Sequence, residues 1–174
     1  MLKSTIKLAI LTLLLTTPSQ LFADSDDNEH SDYRLFHVER SKNKNIVCYD
    51  VNLSDAGLNT IEPIKVYWIN REERVGARDG LSAIQKRLAF GYRIKSKNGA
   101  SAQIAINACP NRAIRVEKDT DSSYRCFTQI NHQDAVLSKI YVKTKESNSL
   151  SVEYVELSGI SITSGKLISE RIYN

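Results

Sequence analysis

What the chain lacks narrows its chemistry first. Its 174 residues hold three cysteines and one tryptophan. The cysteines, Cys48, Cys109 and Cys126, are not spaced as the CxxC-like pairs of a zinc site. Any single bridge among them leaves one thiol over, and spacing does not choose the pair. No HExxH, GxSxG, P-loop or GxGxxG pattern occurs, so no familiar metal, acyl-transfer or nucleotide chemistry is announced. No metal or cofactor is expected. The βαβ rhythm of a parallel sheet is missing, as are long repeats and a second domain. The longest apolar run, "LAILTLLL" at 8–15, is too short for a bilayer, which takes about 20 residues.

That run does have a meaning. Lys3 and Lys7 precede it, and "TTPSQLFA" then "DSDD" follow. A charged start, a short greasy middle and a small residue before a polar stretch predict a secretory signal peptide over 1–23, cut after Ala23. Residues 24–33 form an acidic lead-in with too little apolar surface to offset its ordering entropy, so disorder is expected there. The remaining 34–174 are expected to be a single β-rich domain. The product would be exported, periplasmic or secreted, with no transmembrane segment after cleavage.

The chain carries 24 Lys and Arg against 20 Asp and Glu. Setting aside the two lysines of the leader and five acids of 24–32 leaves 22 against 15, a basic domain. Five of those bases lie in "KRLAFGYRIKSK", 86–97. They suit a phosphate or an anionic surface, or merely a solvated face. Nucleic acid is not an expected partner of an exported chain.

Apolar residues then alternate. Phe36 and Val38 share one face; Val47, Tyr49, Val51 and Leu53 share another; "PIKVYWIN", "SAQIAINAC" and "AVLSKIYVKT" continue the pattern. Turn residues separate the runs, with Asn98-Gly99 the strongest signal because both positions tolerate positive φ. In "DGLSAIQKRLAFGY" the period changes. Leu81, Ile84, Leu88 and Ala89 predict one helix face over about 80–90, with Asp79 as N-cap and Gly91 as stop. The fold class is therefore all-β: an antiparallel barrel or sandwich of about nine or ten strands with one covering helix. The long loops "SDAGLNTIEP" and "REERVGARDG" are natural places for function.

The first hairpin, "LFHVERSKNKNIVCYD", concentrates polar chemistry. If its apolar faces coincide across a four-residue loop, Ser41–Lys44, Val38 meets Val47 and Phe36 meets Tyr49. His37 then meets Cys48, and Leu35 meets Asp50, with Cβ atoms about 5 Å apart. Two readings follow: a thiol activated by His37, with Asp50 or Glu39 orienting the ring, or a packed Cys beside a hydrogen-bonded His. His132, in "NHQD", reads as a surface turn. Glu153 and Glu156 fall on opposite strand faces. Trp68, with Tyr67, Tyr49 and Arg93, is a candidate lining for a ligand pocket, or plain packing.

The blocks "RLFHVERSKNKNIVCYDVNL", "PIKVYWI", "IQKRLAFGYRI", "INHQDAVLSKIYVK" and "SVEYVELSGISITSGKLISERI" occur in order over 34–173. The chain resembles the bacterial domain of unknown function 4833. The resemblance implies no particular activity. It includes His37, Arg40, Asn43, Asn45, Tyr49, Asp50, Trp68 and Gly91. It implies an aliphatic residue where this chain has Cys48, and a glycine-containing turn where it has "INHQDA". It therefore points to His37, Arg40, Asn43, Tyr49 and Asp50 as a functional cluster. The expected function is non-enzymatic binding of a small ligand or a cell-envelope partner. The alternative is a hydrolase-like enzyme using the polar residues of the first hairpin.

Overall fold

The computed structural model describes residues 32–173. The leader and most of the acidic lead-in lie outside them. In chain order the strands are β1 (Arg34–Arg40), β2 (Asn43–Val51), β3 (Leu53–Ser54), β4 (Gly57–Leu58), β5 (Ile64–Ile69) and β6 (Arg78–Gly80). A helical segment follows: α1 (Ala83–Gln85) runs into a π-helical turn, Lys86–Phe90. Then come β7 (Tyr92–Asn98), β8 (Ser101–Ile106), β9 (Ile114–Lys118), β10 (Tyr124–Ile130), β11 (Gln133–Lys145), β12 (Asn148–Ser161) and β13 (Leu167–Tyr173). The all-β class holds. The strands beyond the expected nine or ten are β3, β4 and β6, pieces of two or three residues inside the long loops, too short for a period of two to show.

Eleven strands form one curled sheet, and β3 pairs only with β4. The sheet forks at β11. Residues 133–136 of β11 pair antiparallel with β10, whereas 139–142 pair parallel with β1. Its other edge pairs with β12 over nearly its whole length, and β12 with β13. One wing runs β1-β2-β5-β6; the other runs β10-β9-β8-β7. The β1–β11 pair corrects the purely antiparallel expectation. It joins strands about a hundred residues apart, and no local sequence signal encodes such a pairing.

The wings bury their inner faces against each other. Phe36, Val38, Val47, Tyr49 and Val51 from one share a core with Ile104, Ile106, Ile114, Val116 and Ile130 from the other. Each such side chain contributes about 1.5–3 kcal/mol on burial. Phe36 and Tyr49 stack with centroids 4.4 Å apart. At the open side the helical segment leads from edge β6 to edge β7. Phe90 meets Trp68 edge-on at 5.1 Å, and its carbonyl accepts a 2.7 Å hydrogen bond from the buried Tyr49 hydroxyl. Tyr92 donates to the Ile64 carbonyl at 3.0 Å, and its hydroxyl accepts from the Ile64 N–H at 3.2 Å. Side chains thus close the mouth where no strand ladder does.

The helix differs from its sequence reading. Ser82, not Asp79, is the N-cap, in a reciprocal capping box with Gln85. Asp79 lies in β6 instead and binds Arg74. Gly91 does end the segment: its N–H bonds the Lys86 carbonyl five residues back at 2.8 Å. That wide turn breaks the expected apolar face. Leu81 and Phe90 are buried, while Ile84 and Leu88 point to solvent. The β7–β8 turn also differs. Asn98 pairs with Ser101, and Gly99 does not take positive φ. The left-handed pair is Asn131-His132, which turns β10 into β11.

Candidate functional site

The first hairpin forms largely in the expected register. His37 faces Cys48, Phe36 faces Tyr49 and Val38 faces Val47. At its ends bulges intervene, so Arg34, not Leu35, meets Asp50, and Arg40 meets Asn43 across a two-residue turn rather than a four-residue loop.

Strand alternation then divides the candidate cluster. Tyr49 points into the core between the wings, and burial drives its phenol pKa up. Arg40 and Asn43 sit at the hairpin tip, where Asn43 Oδ1 accepts from the Asn45 N–H at 2.9 Å. His37 and Asp50 share the outer face of the wing, the first half-buried and the second buried. His37 Nε2 lies 3.3 Å from Glu39 Oε1, and Glu39 also faces Arg71 and Lys139, each at 3.6 Å. Burial lowers the His37 pKa, against the pull of Glu39.

Among the described residues no hydrogen bond joins His37 to Cys48. The thiol packs with Ile46 and Ile69, and burial pushes its pKa up to about 11. That is the reverse of an activated nucleophile, and the packed reading of Cys48 fits. All three thiols are free. Trp68, partly buried, packs against the main core, and Arg93 is exposed on β7. Neither joins the residues around Asp50.

Asp50 is the centre of the polar arrangement. It is the penultimate residue of β2, between β1 and β5, with its carboxylate on the outer face. Arg34 Nε lies 2.5 Å from Oδ1, and the Tyr67 hydroxyl donates to Oδ2 at 2.5 Å. Arg34 Nη2 donates to the same hydroxyl at 3.2 Å. Tyr67 is half-buried, and burial together with its bond to Asp50 raises its pKa. The Arg78 guanidinium lies over the Tyr67 ring, 5.1 Å from the centroid, within cation–π range.

A cleft of about 370 Å³ opens here, lined by Tyr33, Asp50, Val51, Leu53, Lys65, Tyr67 and Arg78. Lys65 stands opposite Asp50 in the β2–β5 ladder. Lys65 and Arg78 are both exposed and have no acidic partner among the described residues. The chemistry of the cleft is cationic at the mouth and fully hydrogen-bonded at the floor. Such a site fits a small anion.

Of the sequence candidates, Asp50 and Tyr67 line this cleft. Arg34, Lys65 and Arg78 are not among them, and Trp68, the sequence neighbour of Tyr67, faces the other way. The signal was present: period two puts Lys65 and Tyr67 on the face opposite Val66 and Trp68. A buried mid-sheet carboxylate also demands a cation.

Among the described residues no group of three His, Cys, Asp or Glu could hold a metal, and no helix is long and apolar enough to cross a membrane. Neither a curated protein nor a solved structure matches the chain. A family model does match, over residues 36–171, from within β1 to within β13, and the chain belongs to that family, a domain of unknown function, DUF4833.

Proposed function

We propose that the protein is an exported, non-enzymatic β-domain that binds a small anion-bearing ligand, free or part of an envelope component, in the cleft beside Asp50. One observation carries this reading. Among the described residues, Lys65 and Arg78 have no acidic partner at the mouth of a cleft whose own acid, Asp50, is already committed to Arg34 and Tyr67. A carboxylate or phosphate would complete their charge, and Arg suits planar or bidentate acceptors. The leader-like first 23 residues support export.

A hydrolase-like reading would need a free base or nucleophile. Both Asp50 oxygens are engaged and the Cys48 thiol is buried, which supports binding over catalysis.

The test is thermal melting of the protein against phosphate, sulfate, small carboxylates and sugar phosphates. A ligand raises the midpoint by mass action. Lys65→Ala with Arg78→Ala should abolish the rise while leaving the ligand-free midpoint unchanged. If no anion shifts the wild-type protein, the reading fails.

A further inference from the structure

The second concave feature lies on the opposite side of β5, beside the helical segment. It is a cleft of about 650 Å³ whose lining includes Ile61, Val66, Ala83, Lys86, Arg87 and Ile94. The residues around it are unusually apolar for a surface. Ile61 is 84% exposed, Ile84 66%, Leu88 67% and Ile94 37%.

The cause is the local backbone. Ala83, Lys86 and Arg87, spaced as one helical row, line the cleft. Ile84 and Leu88, four apart, form the adjacent row and are turned outward by the π-helical turn that buries Phe90. The turn is held: Asn107 Nδ2 donates to the Lys86 carbonyl at 2.8 Å, beside the Gly91 N–H. The apolar row therefore cannot roll inward without breaking those bonds.

Charge names the partner. Lys86 and Arg87 are exposed and, among the described residues, have no acidic partner. Nearby, Lys97 donates to the Thr60 carbonyl at 3.1 Å, and Glu62 is the one acid in the lining. Large aliphatic side chains beside unpaired Lys and Arg are the pattern of a surface that lies in a lipid headgroup layer. We propose that this face docks on an anionic lipid surface, with Ile84, Leu88 and Ile61 entering the headgroup layer and Lys86 and Arg87 meeting the lipid phosphates. It involves none of the residues of the Asp50 cleft and stands independently of that reading.

Hydrogen–deuterium exchange of the full chain provides a local readout that binding by the N-terminal leader cannot imitate. Vesicles of phosphatidylcholine mixed equally with phosphatidylglycerol should slow exchange over 82–94 and around Ile61; pure phosphatidylcholine vesicles should not. Lys86→Ala with Arg87→Ala should raise the anionic lipid needed for half-protection by roughly 30-fold, at about fivefold per cation. Ile84→Ser with Leu88→Ser, at exposed positions, should abolish the protection without moving the melting midpoint. The proposal is overturned by equal protection on neutral vesicles, by no protection in that segment, or by vesicle-independent protection that grows with protein concentration, which would mean that a second copy covers the face.

Discussion

Tyr49 and Asp50 are neighbours in the chain and serve opposite sides of the same strand. Tyr49 locks the core side, through Phe90; Asp50 gathers Arg34 and Tyr67 on the outer side. Substitutions at Tyr49 should therefore alter stability alone, whereas those at Asp50 should disturb both stability and the cleft.

Tyr49→Phe keeps the ring stacked on Phe36 and removes only the bond to the Phe90 carbonyl. It leaves that carbonyl buried and unpaired, so stability should fall by about 1–3 kcal/mol. Urea denaturation reads this directly. Anion binding beside Asp50 should be unaltered.

Asp50→Ala should cost more. The Arg34 and Asp50 side chains are only 13% and 8% exposed. Removing one partner leaves a guanidinium largely out of water, at a cost of about 3–5 kcal/mol. The double change Arg34→Met with Asp50→Leu should recover most of that loss. A double-mutant cycle in denaturant gives the coupling, and additivity of the two single changes would refute the pairing.

Stability should decline at both ends of the pH range, because burial disfavours the charged form at each. Burial raises the Cys48 thiol from 9.0 to about 11 and Tyr92 from 10.0 to about 12. Unfolded chains lose these protons first, so stability is complete below about pH 9 and falls as pH rises toward those values. Cys48→Ala should flatten the lower part of that fall. His37 is shifted down from 6.5, again by burial, so the unfolded chain takes its proton first and stability falls as pH drops below 6.5. His37→Gln should remove that part of the slope. Melting midpoints measured from pH 5 to 11 test both arms.

Gly91→Ala should be disruptive although Gly91 has negative φ. A Cβ there would lie 2.2 Å from the Lys86 carbonyl oxygen and 3.1 Å from Asn107 Nδ2. The π-helical turn must then shift, moving Phe90 away from Trp68 and Tyr49. Overpacking of this kind costs about 1–3 kcal/mol. Near-ultraviolet circular dichroism of Trp68 reports whether the packing has moved.

The sequence shows most clearly what is local. The Phe36–Tyr49, His37–Cys48 and Val38–Val47 register follows from alternation and a short turn, because one slip would expose the whole apolar face. Bulges escape such reasoning, so simple alternation places Leu35 opposite Asp50 where Arg34 sits. The π-helical turn escapes it too: its extra residue per turn sends Ile84 and Leu88 outward although their spacing is that of an ordinary buried face. Hardest to read is what distance in the chain separates. Arg34, Asp50, Tyr67 and Arg78 come from four strands, and only the finished sheet brings them together. Alternation still places Lys65 and Tyr67 on one face, so half of the site was within reach.

The fork at β11 also has a consequence for how the chain is made. The hairpin of β1 and β2 can close as soon as residues 34–51 are available, but the outer edge of β1 finds its partner only in Lys139–Val142. Contacts of such sequence separation form slowly, since a long loop must close first. During synthesis from the N-terminus, Arg34–Arg40 would wait about a hundred residues with one row of backbone groups unsatisfied. An open edge is an invitation to other strands. The polar residues of β1, His37, Glu39 and Arg40, therefore guard an unfinished sheet before they adorn a finished one.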